Sequence, residues 1–164
     1  MDKNLLAQQL VAKLRESVAV AERETVAAAK GAKHGATAKE KREDARMALE
    51  QGSLARGQAR RAAQARMDLA TLESFHPQPI PSGGTIGIGA MIEVEDEDDG
   101  RGRTLFLAPA GAGIELTGPG GDGFFSVVTP QSPMGRAAMG KRLGDALEVE
   151  VAGETRYWEI TWLA

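Results

Sequence analysis

The sequence of 164 residues contains no cysteine and only two histidines, His34 and His76. The lack of cysteine excludes a disulfide scaffold, a thiolate zinc site and a cysteine nucleophile. No apolar run reaches the roughly 18 residues that a membrane-spanning helix needs. The N-terminus also lacks a charged segment followed by an apolar signal core. The sequence therefore predicts a cytoplasmic protein with no membrane contact.

Proline is missing from the first half of the chain, and aromatic residues are scarce there. Residues 1–75 hold no proline and 4 of the 20 glycines, whereas residues 76–164 hold all 7 prolines. The first half has 14 Lys and Arg against 10 Asp and Glu, a net charge of +4, and the second has 6 against 13, a net charge of −7. This break predicts two units, at 1–75 and 85–164, joined by a Pro/Gly linker at 76–84.

Residues 1–75 are rich in alanine and other strong helix formers, with a break at Gly31 and Gly35. On either side of the break, small or apolar residues recur at the alternating steps of a heptad seam. The two seams run through Ala7, Val11, Leu14, Val18, Ala21, Thr25 and Ala28, and through Ala45, Ala48, Gly52, Ala55, Ala59, Ala62, Arg66 and Leu69. We therefore predict a long antiparallel helical hairpin, a coiled coil, whose second helix starts with a capping box of Thr37 and Glu40.

Residues 85–164 alternate between apolar and polar side chains, as strands do. A short helix interrupts this pattern, with Ser132 as its N-cap, Pro133 as its first residue and Gly140 at its exit. The predicted fold class is therefore α+β, a helical hairpin followed by an antiparallel sheet with one short helix. The strand candidates are 86–94, 105–107, 124–128, 147–151 and 157–163.

Two further motifs are assigned to loops. The run 93–99 has six acids in seven residues, but its spacing lacks the glycine and final glutamate of a calcium loop. It predicts a hairpin loop closed by Gly100. The glycine-rich segments 111–113 and 118–123 are not followed by Lys-Ser/Thr and lie outside any parallel βαβ unit, which argues against a phosphate-binding loop.

The segment 132–149 reads Ser-Pro-Met-Gly-Arg-Ala-Ala-Met-Gly-Lys-Arg-Leu-Gly-Asp-Ala-Leu-Glu-Val. This order of Ser-Pro, short apolar helix, Gly-Lys and Gly-Asp before an apolar strand resembles the C-terminal signature of the bacterial Gre transcript cleavage factors. The family also has a helical hairpin before an FKBP-like sheet domain, so the resemblance covers nearly the whole chain. It implies an accessory factor, not an enzyme, that docks on core RNA polymerase and pushes its hairpin into the secondary channel.

The resemblance also implies where the functional residues lie. Acids at the family's hairpin tip help to hold a Mg²⁺ ion of the polymerase active site and a water, so that the polymerase cleaves its own backtracked RNA. The factor would need no cofactor or metal of its own. The candidate acids here are Glu40, Glu43 and Asp44. The candidate binding residues, for polymerase docking or for contact near the RNA 3′ end, are Ser132, Pro133, Lys39, Lys41 and Arg42.

The tip departs from the family pattern His-Gly-Asp-Leu-Lys-Glu-Asn. It reads His-Gly-Ala-Thr-Ala-Lys-Glu-Lys at 34–41, and residues 30–46 hold six Lys and Arg against three acids. A basic tip suits delivery of a divalent cation less well, so a channel-binding inhibitor or modulator that does not stimulate cleavage stays open. Glu40 also has a structural interpretation, as the capping-box partner of Thr37.

Two function classes unrelated to polymerase also stay open. The FKBP-like sheet suggests a peptidyl-prolyl isomerase, although several of the few aromatic residues are needed for the core. A coiled-coil interaction protein is the other alternative, and it would self-associate through the alanine seams of residues 1–75. A polymerase-binding factor is instead expected to be a monomer.

Overall fold

The computed structural model describes residues 2–31, 41–118, 120–121 and 123–164, except for the side chains of 28–31, 41–48 and 51. Two long helices are followed by a sheet that carries one short helix, which confirms the predicted fold class. No helix in these ranges is long and apolar enough to cross a membrane. The elements are α1 (Lys3–Gly31), α2 (Lys41–Glu73), β1 (Met91–Asp96), β2 (Gly102–Leu107), β3 (Glu115–Thr117), β4 (Phe124–Val128), α3 (Pro133–Ala138), β5 (Ala146–Val151) and β6 (Glu154–Leu163).

The chain forms two compact units, one of Lys13–Leu69 and one of Met1–Ala12 with Ala70–Ala164. The first unit is a pair of antiparallel helices. Arg66 Nη2 lies 2.8 Å from Glu22 Oε1, and further along α1, Thr25 shares a small cavity with Ala59 and Ala62. Later residues of α1 thus meet earlier residues of α2. The α1 seam is confirmed in this unit, with Leu14 and Val18 buried and Ala21 and Thr25 half-buried.

The seam predicted for α2 is partly wrong. Ala62 is buried, but Ala59 and Arg66, which the prediction also placed in the seam, are exposed. Gln58 and Ala65, one residue earlier in each case, are half-buried instead. Alanine covers most sides of this helix, so small side chains alone do not determine which face turns inward. The covered stripe within this unit is Gly52, Ala55, Gln58, Ala62, Ala65, Asp68 and Leu69.

The second unit is built on a six-stranded sheet with the order β3-β4-β2-β1-β6-β5. Four of the neighbouring pairs are antiparallel, but β2 and β4 run parallel. The sheet is therefore mixed, which corrects the prediction of a wholly antiparallel sheet. A parallel pair needs a crossover connection, and the segment that joins β2 to β4 includes the edge strand β3.

One face of the sheet packs against α3. Its buried cluster includes Ile92, Val94, Leu105, Leu107, Leu147, Val149, Trp158 and Ile160 from the strands, with Ala138 from the helix. One apolar residue in each of the predicted strands 86–94 and 147–151 is exposed, although the alternating pattern predicts that it faces the core. Ile88 is 46% exposed because it precedes β1, next to a turn where Gly89 has a φ of +97°. Val151 is 51% exposed because it ends the edge strand β5.

The opposite face is covered by helix ends at the β2–β4 side of the sheet. Phe75, just after α2, has its ring centroid 6.3 Å from that of Phe106 on β2. In the second turn of α1, the Gln9 amide donates to the Thr117 carbonyl and accepts from the Thr117 N–H, both at 3.0 Å. Gln9 thus pairs with the edge strand β3 as the backbone of a neighbouring strand would.

Candidate docking surface

The predicted start of the short helix forms a closed corner around Ser132. The Ser132 hydroxyl donates to the Thr129 carbonyl at 2.8 Å and accepts from the Thr129 and Gly135 N–H groups, both at 3.2 Å. Pro133 follows as the first helical residue, and Gly140 leaves the helix with a φ of +78°. These observations confirm the predicted helix and its cap. They also show that the Ser132 hydroxyl is engaged in structure, because its donor and acceptor capacity is used within the corner.

Pro133 is a solvent-exposed residue next to the Ser132 corner. It is exposed, and it lines a cleft of about 360 Å³ with Arg136 and Ala137 of α3. The other wall of the cleft is β5, through Glu148, Val149 and Glu150, together with Thr155 of β6. Of the two predicted docking residues, Pro133 is thus available for contact, whereas Ser132 holds the backbone that presents it.

The sheet face away from α3 is acidic at its β1–β6–β5 side. In the strand register, Glu95 lies opposite Glu159, and Tyr157 lies opposite Glu148. These side chains and Glu150 are exposed. Like charges at directly opposite positions destabilise a sheet slightly.

The prediction of a hairpin loop at 93–99 is only partly confirmed, because residues 93–96 lie in β1 and the turn covers only 97–99. β1 ends at Asp96, and Gly100, with a φ of +68°, donates its N–H to the Asp96 carbonyl at 2.9 Å. The Asp96 side chain is fully buried and bonded to Arg156 Nη1 at 2.8 Å and to the Asp98 N–H at 2.9 Å. Among the residues that the structure describes, no three acidic or histidine side chains are grouped so that they would hold a metal ion.

The predicted tip residues fall where the description stops. Lys39 and Glu40 lie outside the described residues, and so does Thr37, the proposed capping partner of Glu40. The backbones of Lys41, Arg42, Glu43 and Asp44 lie in the first turn of α2, but their side chains lie outside the description. Their predicted roles therefore stay predictions.

Comparison with known proteins identifies the class to which this architecture belongs. Residues 81–163, half of the chain, match the family model "Transcription elongation factor, GreA/GreB, C-term". The matched segment contains the Ser132 corner, the cleft and all six strands. The chain therefore belongs to the GreA/GreB family of transcription elongation factors.

Three solved structures of low sequence identity are also similar. GreA factor homolog 1 (Gfh1) of Thermus thermophilus is 19% identical, with 96% of this chain and 92% of that chain covered and a TM-score of 0.38. Gfh1 of Thermus aquaticus is 18% identical, with 93% and 92% covered and a TM-score of 0.41. GreA/GreB from Nitrosomonas europaea is 18% identical, with 62% and 78% covered and a TM-score of 0.38. No curated protein sequence matches the chain.

One part of this surface is not predictable from the sequence. Glu148 and Glu150 stood out only as the polar members of an alternating strand, and nothing in that pattern shows that β5 is an edge strand beside α3. Strand order depends on the long-range pairing of β1 with β6, which local periodicity does not encode.

Proposed function

We propose that this chain is a transcription elongation regulator that binds core RNA polymerase. Its sheet unit docks on the polymerase surface, and the segment between α1 and α2 enters the secondary channel, where it modulates cleavage of backtracked RNA. The family match over residues 81–163 is the observation that carries this proposal. The exposed Pro133 beside a cleft of about 360 Å³ supplies a surface for docking.

In this proposal the polymerase performs the chemistry, and this chain contributes charge and position. Glu40, Glu43 and Asp44 would act beside the Mg²⁺ of the polymerase active site, since carboxylate oxygens are ligands that Mg²⁺ prefers. Lys39, Lys41 and Arg42 would contact phosphates near the RNA 3′ end. The ion itself supplies hydroxide generation and neutralises developing charge.

A second candidate function is channel binding without stimulation of cleavage. The net charge of residues 30–46 favours it, because six basic residues stand against three acids and a basic tip repels a divalent cation. In that case the chain would compete with cleavage-stimulating Gre factors and lower the cleavage that they produce.

Competition on core polymerase tests the proposal. Purified protein labelled at its N-terminus should bind core polymerase, and an unlabelled Gre factor should displace it. The cleavage assay on a backtracked complex then separates the two functions, since stimulation supports the first and suppression of Gre-stimulated cleavage supports the second. Absence of binding at low and at moderate salt would overturn both.

A further inference from the structure

The β5 strand has an unpaired edge. It is the terminal strand of the sheet, and among the described strands it pairs only with β6. Open edges present rows of N–H and C=O groups that another extended chain can bond. Within the part of the chain that the structure describes, no backbone hydrogen bond engages the outer side of β5.

The register shows which backbone groups face outward. Ile160 donates its N–H to the Asp145 carbonyl at 3.1 Å, so Asp145 faces β6. Backbone groups alternate in direction along a strand, so Leu147 and Val149 also face β6. Ala146, Glu148 and Glu150 must then direct their N–H and C=O groups away from the sheet.

The side chains around this edge define what would bind there. Glu148 and Glu150 are exposed on the acidic face of the sheet, and neither forms an ion pair with another described residue. The cleft beside this edge is lined by Pro133, Arg136 and Ala137 of α3 and by Glu148, Val149 and Glu150 of β5. A strand laid along β5 would alternate its side chains between the two faces of the sheet. Basic side chains on the face away from α3 would meet the glutamates, and side chains on the α3 face would meet Pro133, Arg136 and Ala137.

The same charges argue against a second copy of this chain as the occupant. Two β5 edges paired antiparallel about a two-fold axis would place Glu148 opposite Glu148 or opposite Glu150. Like charges directly opposite are unfavourable, and charged edge residues are a known device against self-pairing. The charge of the β5 edge thus favours a basic partner over a second copy of this chain.

We propose that β5 binds an extended segment of core RNA polymerase with Lys or Arg at alternate positions, by addition of a strand to the sheet. This inference rests on the proposed function, because polymerase is the partner. Backbone bonds to Ala146, Glu148 and Glu150 would provide the pairing, and the two glutamates would select the basic sequence.

Amide hydrogen exchange on the full chain, free and in complex with core polymerase, tests the pairing directly. In the free protein, Leu147, Val149 and Val151 are already bonded to β6, so added protection in a peptide covering 146–151 reports on the outer amides. We expect slower exchange of this peptide in the complex.

Charge reversal at Glu148 and Glu150 tests whether these glutamates select a basic segment. We expect Glu148→Lys with Glu150→Lys to weaken polymerase binding about tenfold or more. Glu97→Lys with Asp98→Lys is the matched control, because it reverses the charge of two exposed acids in the turn after β1, away from the β5 edge. It should change binding less than about twofold.

The outcomes separate this inference from the proposed function. Polymerase binding without added protection of 146–151, or equal losses in the two double variants, would overturn the β5 proposal and leave the proposed function standing. No polymerase binding would overturn both. Concentration-dependent dimerisation of the free chain with protection of 146–151 would identify a second copy as the occupant and also reject the proposal.

Discussion

Gly135 is the residue on which the Ser132 corner closes. A Cβ added there would overlap the Thr129 carbonyl oxygen and approach the Thr129 carbonyl carbon to 2.8 Å. Both are backbone atoms, so neither can rotate aside as a side chain would. At Gly57 of α2, no atom of the described residues outside the helix's own neighbouring backbone lies within 4 Å of the same added atom. Close packing therefore requires a glycine at position 135, whereas the surroundings of Gly57 leave room for a side chain.

Gly135→Ala should lower the free energy of unfolding of the sheet unit by about 1–3 kcal/mol, because it forces the corner apart. Urea denaturation followed by tryptophan fluorescence measures this, since Trp158 and Trp162 both lie on β6. Gly57→Ala is the control and should raise helix stability by about 0.5–1 kcal/mol. A neutral effect of Gly135→Ala would show that the corner relaxes without cost.

A second residue-scale prediction concerns the buried carboxylate. Arg156→Ala leaves Asp96 buried with the Asp98 N–H as its remaining described donor, and we expect a loss of about 1–3 kcal/mol. Arg101→Ala removes a pair to Asp99 at 3.5 Å whose arginine side chain is 82% exposed, and should cost less than about 0.5 kcal/mol. Thermal denaturation of the two variants measures these losses of stability. Equal losses would contradict the claim that the burial of Asp96 makes its ion pair the more important one.

At the scale of elements, the sequence predicted well where local chemistry decides the structure. The N-cap Ser132, the proline at the first helical position and the closure of the turn by Gly100 depend on neighbouring residues, and all are confirmed. The rotation of α2 and the parallel β2–β4 pair depend on packing between distant segments. Periodicity carries little information there, because alanine on several helix faces satisfies more than one seam.

The rotation of α2 turns Gln58 toward the interior of the helix pair. Gln58 lies half-buried in the α2 stripe, and its Oε1 atom is buried with no hydrogen-bond partner among the residues that the structure describes. Gln58→Leu should raise the free energy of unfolding by about 1 kcal/mol, because it removes this unpaired acceptor while leucine and glutamine have similar helix propensities. Circular dichroism at the helix band during urea denaturation measures the change.

Gln64→Leu is the matched substitution for that prediction. Gln64 is exposed on the same helix, and its Nε2 donates to Asp68 Oδ1 at 2.7 Å. It should give no gain in stability, because nothing unpaired is removed. A similar gain from both variants would show that leucine stabilises α2 through something other than relief of a buried polar atom.

At the scale of the whole molecule, charge divides the chain by role. The net charge is +4 for residues 1–75 and −7 for residues 76–164. Under the proposed function, the basic part meets nucleic acid in the channel, and the acidic part meets basic protein at the surface. The candidate acids Glu40, Glu43 and Asp44 are exceptions, because they lie in the basic part of the chain. Substitution of one of them therefore tests whether an acid has a specific role there.

Glu40→Gln should reduce any stimulated RNA cleavage by at least about tenfold while polymerase binding stays unchanged, if Glu40 positions charge at the polymerase Mg²⁺. Glu24→Gln, an exposed position on α1, should leave both unchanged. Cleavage that is equally strong with Glu40→Gln would remove Glu40 from the mechanism and leave it the capping role beside Thr37.

The position of β6 in the sheet also has a consequence for biosynthesis. β6 follows β5 in the chain, yet it stands between β5 and β1. While the ribosome is still making β6, β5 has no strand to pair with, and β1 is paired on one side only. Until β6 is complete, the nascent chain exposes the unpaired edges of β1 and β5. The acidic residues 93–99 and 148–150 would then repel like chains on a crowded polysome, a protection that operates before the native fold exists.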